Sequence, residues 1–155
     1  MRRTDREITD INEIVDVLSR CDTVRLGLMG EDYPYIVPLS FGYEVIDGVI
    51  YIYFHGTKEG LKQELIANNN RVCVEADIFY GYRGTGFGIT TTYESIIGFG
   101  TIRLADLEES IRGLDLLMEH CNAGGYSSAE CMKLGSTAVY KITIDKITGK
   151  RNLAK

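Results

Sequence analysis

The feature that most constrains the fold is a pair of apolar segments joined by Asp47-Gly48. The first segment includes residues 35–43 and the second includes residues 51–55. Both residues of an Asp-Gly pair tolerate the positive φ angles of a type I′ turn, whose twist matches that of two paired strands. The pattern therefore predicts a β-hairpin, and with it an antiparallel sheet.

A turn of small and basic residues follows the second strand, reading His55-Gly56-Thr57-Lys58-Glu59-Gly60-Leu61-Lys62 at the start of a predicted helix. The N–H groups at a helix start attract anions, and Thr57, Lys58 and Lys62 add a hydroxyl and two positive charges. A lysine in the first turn opposes the helix macrodipole, and a bound anion would remove that cost. The alternative is that these lysines are merely solvated, as single surface lysines usually are.

Hydrophobic periodicity predicts three helices and about six strands. The first helix follows Asp10, whose spacing to Glu13 is typical of a capping box. Its expected apolar face is Ile11, Ile14, Val15 and Leu18. The other predicted helices are 59–69, with Leu61, Leu65 and Ile66 in the core, and 107–121, with Ile111, Leu114, Leu117 and Met118 on one face, followed by a helical turn at 129–134. The predicted strands are 23–29, 33–45, the strand ending at residue 55, 71–79, 95–104 and 137–144.

Hairpin connections between such strands predict an antiparallel β-barrel with helices packed outside it, in a single mainly β (α+β) domain over residues 1–155. Pro38 cannot donate a ladder hydrogen bond, so it should mark a sheet edge or a bulge. Residues 80–92 contain Gly84-Thr85-Gly86-Phe87-Gly88, but no helix pattern follows. A nucleotide loop is therefore rejected, and a mobile glycine-rich loop is predicted.

Composition excludes several classes of partner. A formal net charge of −5 argues against general nucleic-acid binding, although a local lysine pair could still hold a small anion. No apolar run approaches a membrane span, and the charged N-terminus shows no secretory signal. The four cysteines form no C-x-x-C pair, and two of them lie in apolar strand or helix segments where thiols are usually inert. We expect a reduced, cytoplasmic protein.

Four segments carry a family resemblance: Pro34-Tyr35-Ile36-Val37-Pro38-Leu39-Ser40-Phe41-Gly42-Tyr43, Tyr53-Phe54-His55-Gly56-Thr57-Lys58-Glu59-Gly60, Tyr93-Glu94-Ser95-Ile96-Ile97-Gly98-Phe99-Gly100 and Ile147-Thr148-Gly149-Lys150. In order and spacing they resemble the flavin-binding split β-barrel proteins related to pyridoxamine 5′-phosphate oxidase, within them the nitroimidazole-resistance type. The resemblance implies a six-stranded split barrel, bound FMN (with FAD as the alternative) and a homodimer with flavin sites at the subunit interface.

The resemblance also assigns residues to the flavin. It places the phosphate at the strand-to-helix turn, with Lys62 at the position of a phosphate-binding lysine and Thr57 and Lys58 beside it. It assigns the strand beside the isoalloxazine ring to Val37, Pro38, Leu39 and Ser40, acting mainly through backbone groups. A second flavin-contacting strand, Ser95, Ile96 and Ile97, would come from the partner subunit. Two positions depart from the family pattern, because Leu61 and Glu94 stand where relatives often carry a basic residue.

Two functions of different classes follow. The first is a flavin-dependent oxidoreductase that reduces a nitroaromatic or related organic acceptor, with a nicotinamide or another reductant as donor. The second is a carrier or sensor that binds flavin or, less favoured, haem, with His55 as the axial ligand. The resemblance places Tyr53 and His55 in the flavin turn, and His55 is the candidate catalytic residue, although strand-end histidines are more often structural. His120 and Cys121 lack the spacing of a metal site.

Overall fold

The computed structural model describes residues 2–124, 128 and 137–153. After a 3₁₀ turn at Thr4–Arg6, the helices are α1 (Ile11–Ser19), α2 (Leu61–Asn68) and α3 (Leu107–His120). The strands are β1 (Glu7–Ile8), β2 (Val24–Leu28), β3 (Tyr35–Leu39), β4 (Gly42–Ile46), β5 (Val49–Thr57), β6 (Arg71–Thr85), β7 (Gly88–Leu104) and β8 (Thr137–Asn152).

The strands form one antiparallel sheet in the order β3-β2-β6-β7-β8-β5-β4, and β1 pairs with β8. The two end strands, β3 and β4, are consecutive in the sequence. Ser40 and Phe41 therefore carry the chain from one edge of the sheet to the other, so the sheet curls into a barrel that is split between β3 and β4. The predicted split β-barrel with flanking helices is confirmed, with eight strands in the described part of the chain instead of six.

The same crossing corrects the prediction of one strand over residues 33–45. Both halves are apolar and extended, so the sequence gives no sign that β3 and β4 pair with different neighbours. Pro38 lies in β3, which pairs with β2 alone, and its predicted place at a sheet edge is confirmed. The Asp47-Gly48 turn is also confirmed, since both residues have positive φ (51° and 79°) between the paired residues Ile46 and Val49.

The predicted glycine-rich loop is wrong. β6 and β7 pair continuously to Thr85 and Gly88, so residues 80–92 form the end of a long hairpin. The register shifts between Phe79 and Gly81, and Gly81 has a φ of +124°. Gly81 permits a β-bulge at this point, whereas in the sequence alone the glycine suggests that the strand ends.

Three further boundaries and faces differ from prediction. β8 continues to Asn152, eight residues beyond the predicted end, and the helical turn at 129–134 lies outside the described residues. Leu61 is 53% exposed and Ile111 is 41% exposed, so neither lies in the core. Asp10 caps α1 by accepting from the Asn12 amide, whereas the expected partner Glu13 binds Arg151 instead.

The core fills the barrel and extends beneath α3. Side chains from β2, β5, β6, β7, β8, α1 and α2 form the main cluster inside the barrel. A second cluster, Tyr53, Leu114, Leu116 and Val139, joins α3 to the outer face of β5 and β8. None of the described helices is both long and apolar enough to span a membrane.

Candidate functional site

The turn between β5 and α2 is built by its own hydrogen bonds. The Thr57 hydroxyl donates to the Glu59 carbonyl oxygen at 2.7 Å, and the Gln63 side-chain amide donates to the Thr57 carbonyl. Gly60 precedes α2 with a φ of +113°, a conformation that residues with a Cβ rarely adopt. In the described part of the chain no side chain caps the helix, so its first amides donate to no capping side chain.

Lys62 places a partly buried cation at this turn. Its Nζ lies 5.0 Å from the centroid of the Phe54 ring, and burial lowers its pKa. A Cβ at Gly56 would come within 3.0 Å of the same nitrogen, so the glycine permits this close approach. No described carboxylate forms an ion pair with Lys62. A desolvated cation beside helix amides is an arrangement that an anion would stabilise.

His55 and Lys62 do not face the same side of β5. Side chains alternate along a strand, and Phe54 points into the barrel core while His55 is exposed on the other face. Lys62 lies over Phe54, on the inner side. The strand therefore places the Lys62 ammonium beside Gly56 and Phe54, and separates it from the imidazole of His55 on the other face.

Tyr53 must be removed from the predicted cofactor site. It is 1% exposed beneath α3, and its hydroxyl donates to Glu44 at 2.7 Å. Burial and this hydrogen bond raise the pKa of Tyr53 to about 12. The sequence pattern could not show this, because the helix that covers Tyr53 comes sixty residues later in the chain.

The strand assigned to the ring, β3, has one open edge. Val37 and Leu39 are half-buried and pack against the core, whereas Pro38 and Ser40 are exposed. Because β3 pairs only with β2, backbone groups on its far side have no ladder partner among the described strands. An edge of this kind can supply backbone donors and acceptors to a planar ligand.

The segment Ser95-Ile96-Ile97 lies far from the turn within one chain. It is in β7, which is paired on both sides, and Ile96 is only 1% exposed inside the barrel. Ser95 pairs with Lys150, whereas His55 pairs with Val139, eleven positions away along β8. Eleven extended residues span a contour of about 35 Å. One small ligand could contact both regions only if a second copy of the chain supplied one of them.

Glu94, one of the two residues that depart from the family pattern, points away from Ser95 into a buried ion network. It is 3% exposed and contacts Arg20 at 2.7 Å and Arg151 at 2.6 Å, and the Tyr80 hydroxyl donates to it at 2.6 Å. Burial alone would raise the pKa of Glu94, but the hydrogen bonds from Arg20, Tyr80 and Arg151 outweigh it and lower the pKa to about 2. This carboxylate ties α1 to the sheet and does not face the candidate site.

The outer face of β2, β3, β6 and β7 carries an apolar groove that sequence reasoning missed. It has a volume of about 500 Å³, and its lining includes Met29, Ile36, Cys73 and Phe99. Met29, Ile36 and Phe99 are 61%, 64% and 52% exposed, and Ile97 beside them is 43% exposed. The available signal was the apolar residues on the outward-facing positions of β7, where a solvated face would be polar.

The remaining candidates are structural. His120 contacts the Cys21 carbonyl oxygen at 2.8 Å through Nε2 and packs against the rings of Phe41 and Tyr43. Among the described residues, no three histidine, cysteine or acidic side chains are grouped as metal ligands. The thiols at Cys21, Cys73 and Cys121 are free, and burial raises the pKa of Cys21 to about 11, which makes it unreactive.

Comparison with known proteins adds a family and a set of structural relatives. The family model described as pyridoxamine 5′-phosphate oxidase matches residues 10–151. A candidate 5-nitroimidazole antibiotic resistance protein from Bacteroides thetaiotaomicron VPI-5482 is 28% identical, with a TM-score of 0.78 over 93% of this chain and 85% of that one. No curated protein matches the sequence significantly.

Two relatives share the fold at lower identity. A flavocytochrome from Azotobacter vinelandii is 16% identical, with a TM-score of 0.79 over 99% of this chain and 72% of that one. A FAD and haem binding protein from Mycobacterium smegmatis is 20% identical, also with a TM-score of 0.79, over 96% of this chain and 74% of that one. At these identities the likeness concerns the fold alone.

Proposed function

Because the chain belongs to the pyridoxamine 5′-phosphate oxidase family, we propose that it is an FMN-dependent oxidoreductase that reduces small organic acceptors, nitroaromatic compounds among them. The observation that carries the proposal is the desolvated cation of Lys62 beside the uncapped start of α2. This arrangement suits the phosphate of FMN, which haem lacks. The similarity to a candidate 5-nitroimidazole resistance protein supports the class of acceptor.

The proposed division of labour follows from the residues present. Bound FMN supplies the electron-transfer chemistry, and the protein supplies binding, orientation and electrostatics. Lys62 and the first amides of α2 would hold the phosphate, and the Thr57 hydroxyl would join them by turning its hydrogen away from the Glu59 carbonyl oxygen. The open edge of β3, with the exposed Ser40 hydroxyl, would meet the polar edge of the ring or the ribityl chain. His55, exposed on the outer face of β5, could at most orient a substrate.

We further propose that the flavin site is completed by a second copy of the chain. Ser95 and His55 pair with residues of β8 that are eleven positions apart, and this separation within one chain supports the arrangement. The groove around Phe99 is the apolar surface that a partner would cover. Charges of both signs flank it, since Arg25 pairs with Glu75 and Asp77, so the surface can be self-complementary across a two-fold axis.

The proposed dimer predicts the effect of a charge in that groove. Phe99→Lys should make the protein monomeric at micromolar concentration, because two lysines would be buried unpaired in an apolar interface. Ile46→Lys is the matched control, since Ile46 is 48% exposed but lies on β4, away from the groove. Size-exclusion chromatography with light scattering measures the outcome. A monomeric unmodified protein, or a Phe99→Lys dimer, would contradict the proposed interface.

The cofactor is tested by releasing it from the purified protein under denaturing conditions and measuring its mass. We expect FMN, and turnover of a 5-nitroimidazole by the loaded protein with a nicotinamide donor. The second candidate function, a haem carrier, rests on the exposed imidazole of His55. A Soret band that His55→Gln abolishes, in a protein that never retains flavin, would favour that function and overturn the flavin proposal.

The reducing cytoplasm is the compartment that this proposal favours. The described cysteines are free thiols, which are stable where glutathione and thioredoxin keep proteins reduced. Nicotinamide donors of the kind proposed are also found there.

A further inference from the structure

A groove with an apolar lining and an acidic rim lies between α2 and the turn that joins β2 to β3. Its volume is about 870 Å³, which is in the range of pockets for small organic ligands. One wall is the segment 29–35. The other wall is a single face of α2, formed by Leu61, Glu64, Leu65 and Asn68 at helical spacing. We call this cavity the α2 groove.

Local contacts hold the two walls of the α2 groove in place. The Asn69 side-chain amide, at the end of α2, donates to the Met29 sulfur at 3.1 Å, and its oxygen accepts from the Arg71 amide at 2.9 Å. The turn is tight at Gly30, where a Cβ would collide with the Tyr33 carbonyl oxygen. The groove is thus formed without a ligand, so binding need not order the loop.

The lining of the α2 groove is apolar and partly exposed. Tyr33 and Leu61, on opposite walls, are 81% and 53% exposed. Tyr35 and Leu65 pack against the barrel core. A ligand with an apolar body would remove this surface from water, which is favourable. Tyrosine rings also attract cations to their faces.

The charged residues that line the α2 groove are all acidic. Glu31 and Asp32 lie on the turn and Glu64 lies on α2, and all three are exposed. None of them forms an ion pair with a side chain in the described part of the chain. No described lysine, arginine or histidine lines the groove. The local potential therefore favours a cation and disfavours an anion.

We propose that the α2 groove binds an aromatic organic cation, such as an aromatic ammonium compound. The apolar body of the ligand would cover Tyr33 and Leu61, and its charge would lie among the three carboxylates of the rim. A second copy of the chain is disfavoured as the occupant, because symmetric pairing of two such grooves would bring carboxylates of like charge together. A stable protein partner would bury a much larger surface than this groove offers. Such binding would not require a flavin.

Two ions of the same shape and opposite charge test the site. Tetraphenylphosphonium and tetraphenylborate both present four phenyl rings, so their apolar contacts are alike. Equilibrium dialysis of the purified protein in a sodium buffer measures both dissociation constants. The cation should bind at least about tenfold more tightly than the anion, because the three carboxylates attract one and repel the other.

Removing one carboxylate from each wall tests the charge of the groove. Asp32→Asn/Glu64→Gln preserves the side-chain shapes and should weaken tetraphenylphosphonium about fivefold. Tetraphenylborate should bind as before or more tightly. The matched control is Glu108→Gln/Asp115→Asn, which makes the same change in net charge on exposed side chains of α3. This control should leave both dissociation constants within about twofold.

Removing one ring tests the apolar lining. Tyr33→Ala should weaken both ions by a similar factor, about threefold to fivefold, because both lose the same aromatic contact. Tyr33 is highly exposed, so the fold should tolerate the change. Tyr82→Ala is the matched control, since Tyr82 is 75% exposed on β6, outside the groove.

Each outcome decides the question. Equal affinities for the two ions, no saturable binding at millimolar ligand, or an equal effect of the two double variants would overturn the proposal. Light scattering is measured on the same samples, because Met29 also borders the groove around Phe99. A changed mass in Asp32→Asn/Glu64→Gln would assign the α2 groove to an interface between copies and overturn the cation site. A protein that binds the cation as expected but retains no flavin would support this site and overturn the proposed function alone.

Discussion

Lys62→Ala is expected to weaken FMN binding roughly ten- to a hundredfold, the effect of losing one charge-assisted hydrogen bond of about 1.5–3 kcal/mol. The fold should tolerate the change, because Lys62 forms no described ion pair and its ammonium is partly desolvated against Phe54. Removing an unpaired, partly buried cation from the first turn of α2 should leave the free energy of unfolding of the flavin-free protein unchanged or slightly higher. Isothermal titration with FMN measures the first effect, and urea denaturation measures the second.

The control for this prediction is Lys146→Ala, which removes an exposed lysine at a distance from the turn; because Lys146 lies opposite Phe99, light scattering checks that its oligomeric state is unchanged. Its FMN affinity should equal that of the unmodified protein. An affinity for FMN in Lys62→Ala within about threefold of the unmodified value would exclude Lys62 from the phosphate site. A variant that loses affinity and also unfolds at lower urea concentration would show that Lys62 supports the turn itself.

Glu94→Gln is expected to lower the free energy of unfolding by about 3 kcal/mol, the lower end of the range for breaking a buried ion pair. Glutamine preserves the shape and can still accept from Tyr80, but it leaves Arg20 and Arg151 without their shared buried carboxylate. The cost stays at the lower end because each arginine keeps a second, exposed partner, Asp16 or Glu13. Urea denaturation at one fixed protein concentration measures the difference, since the stability of the proposed dimer would depend on concentration.

The pH dependence of this difference follows from the pKa of Glu94. Folding lowers that pKa from 4.5 to about 2, so the folded state favours the ionised carboxylate. The stabilisation is therefore fully present above pH 4.5 and is lost as the pH falls towards 2. The two proteins should differ most above about pH 5 and converge only as the pH approaches about 2.

Asp5→Asn is the matched control for Glu94→Gln. Asp5 also pairs with an arginine, Arg3, at 2.6 Å, but its side chain is 60% exposed. Solvent screening leaves such an exposed pair with little effect on stability. Equal losses in the two variants would contradict the argument that burial makes the Glu94 network important to stability.

Local sequence determined the elements whose signals lie within a few residues of one another. Asp47-Gly48 predicts its hairpin because both residues adopt the left-handed backbone that the turn requires. Pro38 predicts an edge strand because it lacks a donor. The turn at Thr57 and Lys62 was found for a similar reason, since a hydroxyl, glycines and lysines at a helix start have a local electrostatic meaning. The ordered motifs also predicted the split barrel, which the structure confirms.

Contacts between distant segments decided what the sequence left open. The sequence alone places Tyr53 among the residues expected to contact the ligand. In the structure α3 covers its ring, and its hydroxyl donates to Glu44. Glu94 stands where relatives often carry a basic residue. Because side chains alternate along β7, Glu94 points to the barrel side of the sheet, whereas Lys150 of β8 lies opposite Ser95 on the outer face. The glycines in residues 80–92 predict a loop, but these residues form the end of a hairpin with a bulge at Gly81.

The sequence by itself determined the chemistry available, namely a phosphate-suited turn, an edge strand and an apolar strand with a serine. Only the tertiary structure decided which of these residues face one another. The reason is physical, because a strand's side chains alternate between two faces, and the neighbour across the sheet is set by register with a segment tens of residues away. That register separates Ser95 and Lys150 from the Thr57–Lys62 turn within one chain, and it is the ground for the proposal that a complete site lies between two copies.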